Sequence, residues 1–499
     1  MNIRTLILTI MACVSSVTAK SKPHPVNPEL ELIISSTQVT NSSAAAYPGM
    51  LSFGRLIETN YGEKAAASIV RSWILSYAMP TKVAGQVIPP REKAFGKVIE
   101  SWVKKDGFTG ESLLDWTPNL ANAPLKLLSI VNRQDIAIAS NVAPTSELHI
   151  SRAKSPLLDA SLSEQEIERI KVLSRSVRNS SSSGGSSSGY YRASSGAGEV
   201  RFIYCLTDQS GTPLKGGMTV ILEFDQLNLF SRNNLNVISV EKSAHYTAKR
   251  WHALGRHKVI NSAYLSELCA LVFEAITPIE TPNLRPTVNE LIAASPMLRL
   301  RTNDSALGEG REFRQFDSSG KSLIPSLLSS SLPDAFNDPK TPEAQALAKW
   351  LTASNVLSQE LTVNGKRVKL ATASSRVLPG RENDTAWKSA TPTHGGQVSR
   401  EIRRHISMNS CIGCHGQETG SDGFHIAPPS NDYLPSLLSE FLTDTSKIAI
   451  TKDPYADYEY KQAGELARRI KIFEHLVDPK ILNLNRFQKL TADAKHTSH

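Results

Sequence analysis

The chain has 499 residues, of which 40% are hydrophobic and 21% are charged, and this composition predicts a globular protein of more than one domain. Its formal net charge is +9, but the basic residues are scattered along the chain and form no long run. Nucleic-acid binding usually requires a basic stripe, so we expect no nucleic-acid partner.

The amino terminus has the pattern of an export signal. A positive start at Met1–Arg4 precedes a short apolar run, and Val17-Thr18-Ala19 supplies the small residues that a signal peptidase reads. We therefore expect residues 1–19 to be a signal peptide of a periplasmic or secreted bacterial protein. The alternative is a lipoprotein signal, with Cys13 as the lipid anchor. No segment has the roughly 18 uninterrupted apolar residues of a membrane span, so no transmembrane segment is expected.

The region after the signal is predicted to be mostly helical. Residues 20–47 are rich in Ser, Asn, Pro and Ala and predict a loose leader. Residues 48–178 are predicted to form a helical domain, because their apolar residues recur at intervals of three and four. Its predicted helices include Glu63–Tyr77, Phe95–Val103 and Ala121–Val131.

A Ser/Gly-rich stretch at residues 179–197 predicts a flexible linker or loop before a β-rich part. We expect residues 198–382 to form an α+β domain. The strands predicted most strongly are Glu199–Leu206 and Met218–Phe224, which are rich in β-branched and aromatic residues and predict an antiparallel pair. This domain also contains shorter candidate strands at Met297–Arg301 and Arg311–Phe316, and a helix at Val259–Ile276.

The last third is predicted to be all α-helical over residues 383–480, with a C-terminal tail at 481–499. Its predicted helices are Val398–Asn409, Tyr433–Leu442 and Tyr458–Val477. The predicted fold class is therefore α+β multidomain, with a helical N-terminal part, a β-rich middle part and an all-α C-terminal segment.

Cys411-Ile412-Gly413-Cys414-His415 has the C-x-x-C-H pattern of c-type haem attachment. Two thiols at this spacing can add to the two vinyl groups of one haem, and the following histidine then faces the iron as an axial ligand. In a chain with 5 Cys and 12 His, chance produces the motif roughly once per thousand sequences. One haem c per chain is thus predicted, bound covalently at Cys411 and Cys414 with His415 on the iron. The alternatives for the two cysteines are a disulfide, a thioredoxin-like redox pair or half of a zinc site.

The second axial ligand is predicted to be His425. No methionine follows Met408, which lies too close to the motif on the same predicted helix to reach the opposite haem face. A five-coordinate, open iron is the alternative. Arg403 and Arg404 precede the motif and are candidates for contacts with the haem propionates.

The motif and its surroundings resemble a c-type cytochrome over about residues 397–477. A wider resemblance rests on LLSIVNRQDIAIAS from Leu127, GEVRFIYC from Gly198, MTVILEFDQ from Met218 and MNSCIGCHGQETGSDGFHI from Met408. These segments are similar to a group of large, functionally unassigned secreted bacterial proteins. The resemblance implies a cytochrome c-like C-terminal segment, and it adds Asn409, Gly416, Glu418 and Thr419 to the site.

Three functions are consistent with these patterns. The first is electron transfer through the haem to an unidentified redox partner. The second is a haem-dependent oxidoreductase, peroxidase-like or oxidase-like, with an open iron. The third is a non-haem surface or binding protein with a Cys411–Cys414 disulfide. Cys205 and Cys269 are predicted either to pair or to be buried thiols, and His245, His252 and His257 are interpreted as surface or core histidines.

Overall fold

The computed structural model describes residues 24–41, 49–83, 86–110, 115–134, 198–214, 217–226, 240–278, 297–304, 311–318, 322–326, 341–346, 362–363, 366–367, 374–377, 424–430, 434–443, 449–452, 459–462 and 465–478. The predicted signal peptide, the Ser/Gly-rich linker and the C-x-x-C-H motif lie outside these residues.

Sixteen strands occur in the described residues, most of them short. In chain order they are β1 (Ile33–Ile34), β2 (Thr81–Val83), β3 (Gln86–Ile88), β4 (Leu125–Arg133), β5 (Glu199–Leu206), β6 (Met218–Asp225), β7 (Met297–Asp304), β8 (Arg311–Ser318), β9 (Leu323–Ser326), β10 (Thr362–Val363), β11 (Lys366–Arg367), β12 (Ser374–Val377), β13 (Ile426–Ala427), β14 (Leu437–Leu438), β15 (Ala449–Lys452) and β16 (Glu459–Gln462).

The α-helices of the described residues lie before, between and after the long strands. They are α1 (Pro28–Glu31), α2 (Thr37–Thr40), α3 (Phe53–Tyr61), α4 (Glu63–Leu75), α5 (Glu92–Asp106), α6 (Val240–Leu254), α7 (Ser262–Ile276), α8 (Glu440–Thr443) and α9 (Glu465–Val477). Among the described residues, no helix has both the length and the apolar character needed to cross a bilayer.

An eight-stranded antiparallel sheet lies at the centre of the described structure. Seven strands follow the order β1-β4-β5-β6-β7-β8-β12, and β9 pairs with β8 beside this path. The predicted strands β5 and β6 are confirmed as antiparallel neighbours, with Phe202 opposite Leu222. Short hairpins are formed by β2 with β3, β10 with β11, β13 with β14 and β15 with β16.

One face of the sheet is apolar and packs against helices. On β6 this face carries Val220, Leu222 and Phe224, all of them buried. Helix α3 covers it through Phe53, whose ring meets that of Tyr204 on β5 edge to face at 5.8 Å. Burial stabilises the fold by about 1.5–3 kcal/mol for each large apolar side chain, so this face supplies much of the free energy of folding.

The opposite face of the sheet carries a buried cluster of charges around Glu223 of β6. Its carboxylate contacts the Nε atoms of Arg201, Arg299 and Arg301 at 3.1, 3.2 and 3.4 Å. Burial alone would raise the pKa of Glu223, but the charges of Arg201, Arg301 and Arg299 outweigh it and lower the pKa to about 2. Side chains alternate between the two faces of a strand. Because Leu222 and Phe224 point to the apolar face, Glu223 between them points to the opposite face.

A second buried charge cluster joins β7 and β8 to the segment after the β2–β3 hairpin. Arg91 pairs with Asp304 of β7, and its Nε atom lies 3.2 Å from Glu312 of β8. Burial raises the pKa of Asp304 to about 6, although the charge of Arg91 opposes the shift. Arg314 contacts the other oxygen of Glu312 at 2.5 Å, so each carboxylate of the cluster has an arginine beside it.

The predicted helix at Ala121–Val131 is wrong, because Leu125–Arg133 forms β4. This strand pairs with β1 on one side and with β5 on the other, and it is buried from Leu127 onward. A strand buried on both faces lacks the alternation of apolar and polar residues, so its sequence is hard to tell from that of a buried helix. The N-terminal part therefore contributes two strands to the central sheet and is not simply helical.

The prediction of an all-α C-terminal segment is also wrong. Between residues 424 and 478, the described chain forms the hairpins β13–β14 and β15–β16 in addition to α8 and α9. The helices predicted at Tyr433–Leu442 and Tyr458–Val477 each contain a strand before the true helix begins. Neither strand is rich in β-branched residues, so pairing with β13 and with β15 decides their extended backbone. The described protein is a mixture of helix and antiparallel sheet throughout.

We predict that Glu223→Gln lowers the free energy of unfolding at neutral pH by about 3–5 kcal/mol, because the buried Arg201 and Arg301 and the partly exposed Arg299 lose their carboxylate. The pH dependence should change as well. The pKa of Glu223 is lower in the folded state, so its contribution of about 3 kcal/mol is present above about pH 5 and is lost as the pH falls towards 2.

Urea unfolding measured at several pH values checks this prediction. The control is Glu58→Gln, which removes the partly exposed Arg55–Glu58 pair and should cost less than about 1 kcal/mol. Equal stability losses and equal acid slopes in the two variants would contradict the role given to Glu223.

Candidate functional site

Of the residues predicted to hold a haem, the structure describes His425. Cys411, Cys414, His415, Arg403 and Arg404 lie outside the described residues. In the sequence, His425 lies ten positions after His415.

His425 is a buried residue fixed by contacts with Ser439 and Phe441. It immediately precedes β13 and is 8% exposed. Its Nδ1 atom lies 3.0 Å from the Ser439 hydroxyl oxygen, and its backbone carbonyl accepts a hydrogen bond of 2.9 Å from the Ser439 N–H. Its ring centroid lies 4.9 Å from that of Phe441. The imidazole is thus held in one orientation by the segment that follows β14.

The β13–β14 hairpin is attached to the edge region of the central sheet. The hydroxyl of Ser436 donates a hydrogen bond of 2.7 Å to the carbonyl of Leu128 in β4. Ile426, Phe441 and Leu442 belong to the main hydrophobic core. The candidate iron ligand His425 therefore lies on a hairpin that packs against the same core as the N-terminal strands.

His245, His252 and His257 do not come together. The Nδ1 atom of His245 lies 2.5 Å from the backbone carbonyl of Leu476, and burial lowers the pKa of this histidine. His257 contacts Glu267 through its Nε2 atom at 2.8 Å. Because each faces a different partner, these three histidines form no common site.

His252 joins two residues that the sequence analysis did not associate with it, His24 and Glu31. Its Nδ1 atom lies 2.7 Å from Glu31 Oε2, and its ring stacks on that of His24 with 3.9 Å between the centroids and 24° between the planes. The Nδ1 atom of His24 lies 3.9 Å from Glu31 Oε1. One donor atom from each residue lies within 4.8 Å of the other two, so two imidazoles and a carboxylate form one cluster.

Short-range contacts position Glu31 at the centre of this cluster. Asn27, the N-cap of α1, donates its backbone N–H to Glu31 Oε1 at 2.8 Å, and its side chain accepts from the Glu29 N–H. The Tyr264 hydroxyl of α7 donates to the Leu30 carbonyl at 2.9 Å. These bonds hold the last turn of α1 against α6 and α7, and the Glu31 carboxylate is fully buried as a result.

The sequence carried little signal for this cluster, because 221 positions separate Glu31 from His252. His24 and Glu31 lie in the stretch predicted to be a loose leader. The sequence does show an apolar run beside Glu31, formed by Leu30, Leu32, Ile33 and Ile34. These four residues are buried. An apolar run indicates packing, but it does not indicate which distant residue the neighbouring polar groups meet.

Cys205 and Cys269 are both buried thiols. Burial raises the pKa of Cys269 to about 12, which keeps its thiol protonated at neutral pH. Because the thiolate is the nucleophilic form, burial disfavours reactivity at Cys269.

In comparisons with family models, with curated proteins and with solved structures, the chain matches none. Its function is therefore argued from the residues themselves.

Gly255, directly after α6, packs against the His24–Glu31–His252 cluster. A Cβ atom at this position would overlap Glu31 Oε1 and the His24 ring. We predict that Gly255→Ala lowers the free energy of unfolding by about 1–3 kcal/mol, because the buried carboxylate must move away from its hydrogen bonds. Gly96→Ala is the control. It lies inside α5 with open space around it and should be neutral or stabilise by up to about 1 kcal/mol. If Gly255→Ala were as stable as the wild type, the Glu31 carboxylate could move without a measurable cost, and the prediction would be wrong.

Proposed function

We propose that this chain is an exported monohaem c-type cytochrome-like protein that transfers electrons through a covalently bound haem. The observation that carries the proposal is the sequence Cys411-Ile412-Gly413-Cys414-His415. In this assignment the two cysteines bind the porphyrin, and His415 is the proximal iron ligand. The export pattern of residues 1–19 supports it, because it directs the chain to the periplasm or the exterior.

The surroundings of His425 support it as the second axial ligand. Histidines that bind metals usually have their other ring nitrogen fixed by a hydrogen bond. The Nδ1 atom of His425 has such a partner in Ser439, 3.0 Å away, so Nε2 is the atom assigned to the iron. The ring is buried and packed on Phe441, which fits a ligand held in an apolar haem pocket.

Ligation by two histidines favours electron transfer over catalysis at the iron. With both axial positions filled, no position is open for peroxide or oxygen. Two imidazoles also give a lower reduction potential than one histidine with one methionine, because thioether ligation raises the potential. We therefore assign a low-potential carrier, whose redox partner is not identified. The propionates are assigned to Arg403 and Arg404.

We expect the double substitution Cys411→Ala/Cys414→Ala to abolish covalent haem, because no thiol remains to react with the vinyl groups. The protein is produced in the periplasm together with the cytochrome c maturation proteins, extracted with acidic acetone and measured as its pyridine haemochrome. The control is Cys269→Ala, which removes a buried thiol that is distant from the motif in sequence and should keep the haem. Wild-type protein without haem after extraction would remove the basis of the proposal.

We expect His425→Ala to retain covalent haem but to convert the iron from low spin to high spin, because one axial position opens. Visible absorption and electron paramagnetic resonance spectra of the purified protein measure this change. His475→Ala is the control, since this histidine is on α9 and contacts the backbone carbonyl of Lys471. Identical spectra for wild type and His425→Ala would exclude His425, and a high-spin wild type would favour the oxidoreductase with an open iron.

A further inference from the structure

We propose that His24, Glu31 and His252 form a binding site for a divalent transition-metal ion, with zinc as the best match. Two imidazoles and one carboxylate are a common ligand set for such ions, with remaining positions filled by water. The proposal does not depend on the haem, since none of these residues lies in the C-x-x-C-H region.

The distances within the cluster are close to those that a zinc ion requires. Zinc bonds to nitrogen and oxygen measure about 2.0–2.1 Å, so two ligands of a tetrahedral site lie roughly 3.3 Å apart. In the structure, His252 Nδ1 lies 2.7 Å from Glu31 Oε2, and His24 Nδ1 lies 3.9 Å from Glu31 Oε1. These two spacings lie on either side of the required value, and the donor atoms of all three residues lie within 4.8 Å of one another. Zinc binding requires the two stacked imidazoles to rotate so that their donor nitrogens face a shared point.

The charge of Glu31 provides the second argument. Its side chain is fully buried, and in the described part of the chain its ion pairs are with His24 and His252. A buried carboxylate is costly unless its charge is compensated. A divalent cation between the three residues compensates that charge without requiring a proton on either imidazole.

The third argument is an unsatisfied nitrogen on His252. Its Nε2 atom is buried and has no hydrogen-bond partner among the described residues, while its Nδ1 atom faces Glu31. An unsatisfied buried polar atom in a native protein indicates a missing water or ion, and here it belongs to a histidine beside a buried carboxylate. With the ion on Nδ1, Nε2 is the second ring nitrogen, which in metal sites is held by a further hydrogen-bond partner such as a water.

The surroundings suit a rigid site with one solvent-facing side. Phe473 of α9 meets the His252 ring edge to face at 6.1 Å, and the α1 contacts fix Glu31. The His24 side chain is 28% exposed, so water and the ion can reach the cluster from that side. An ion bound here ties the N-terminal segment to α6 and thereby links parts of the chain that are distant in sequence.

Zinc binding to the full-length chain tests the proposal. The protein is purified without a histidine tag, treated with EDTA, dialysed and titrated with zinc chloride by isothermal titration calorimetry. We expect one ion per chain, a rise in melting temperature with zinc, and affinities reduced at least about tenfold in His24→Ala and Glu31→Gln. His24→Ala removes a partly exposed side chain and Glu31→Gln keeps the size of the residue, so both should fold.

The controls separate this site from others on the chain. His257→Ala removes a histidine that pairs with Glu267 near the end of α6, and it should leave zinc affinity unchanged. Cys411→Ala/Cys414→Ala removes the cysteines of the haem motif, and it should retain one zinc ion. Absence of stoichiometric zinc in the wild type, or equal affinity in wild type and His24→Ala, would overturn the proposal and leave the cluster as a buried histidine–glutamate ion pair.

Discussion

Glu223 lies beneath three arginines on one face of the central sheet. The stability of the sheet depends on such cations, because they compensate the charges of its buried carboxylates. Taking a carboxylate out of water costs several kcal/mol unless a cation and hydrogen bonds replace the water. The arginines of β5 and β7 meet this cost at Glu223, and Arg91 and Arg314 meet it at Asp304 and Glu312. These pairs join neighbouring strands and nearby loops, so the charge pattern helps to fix the register of the sheet.

Glu31 differs from Glu223 in the residues that pair with it, and this difference supports the metal proposal. It is as deeply buried as Glu223, yet the side chains that pair with it in the described structure are imidazoles. An arginine carries its charge at any pH a cell experiences, whereas an imidazole must be protonated or must bind a cation to do so. Where Glu223, Asp304 and Glu312 have arginines beside them, Glu31 has two imidazoles, and these three residues make up a ligand set that transition metals commonly take.

The sequence predicts the parts of the fold whose residues carry their own signal. Glu199–Leu206 and Met218–Phe224 are identifiable as strands because β-branched and aromatic residues fill them, and Glu63–Leu75 is identifiable as a helix from its apolar spacing. Leu125–Arg133 is not, because pairing with β1 and β5 decides its structure and both partners are distant in sequence. The C-x-x-C-H motif is recognisable in the sequence because its residues are consecutive. The His24–Glu31–His252 cluster is not, because it forms only when α1 packs on α6.

Helix α9 stands between the two candidate sites. Phe473 of α9 contacts the His252 ring, and α8, which carries the Phe441 ring that packs on His425, lies against the same helix. Contact through a shared helix does not by itself couple two sites, since coupling requires an element with two arrangements that both sites bias. A packed helix in the main core provides one arrangement. We therefore expect a substitution at His425 to leave the proposed zinc site unchanged, and a substitution at His24 to leave the proposed haem site unchanged.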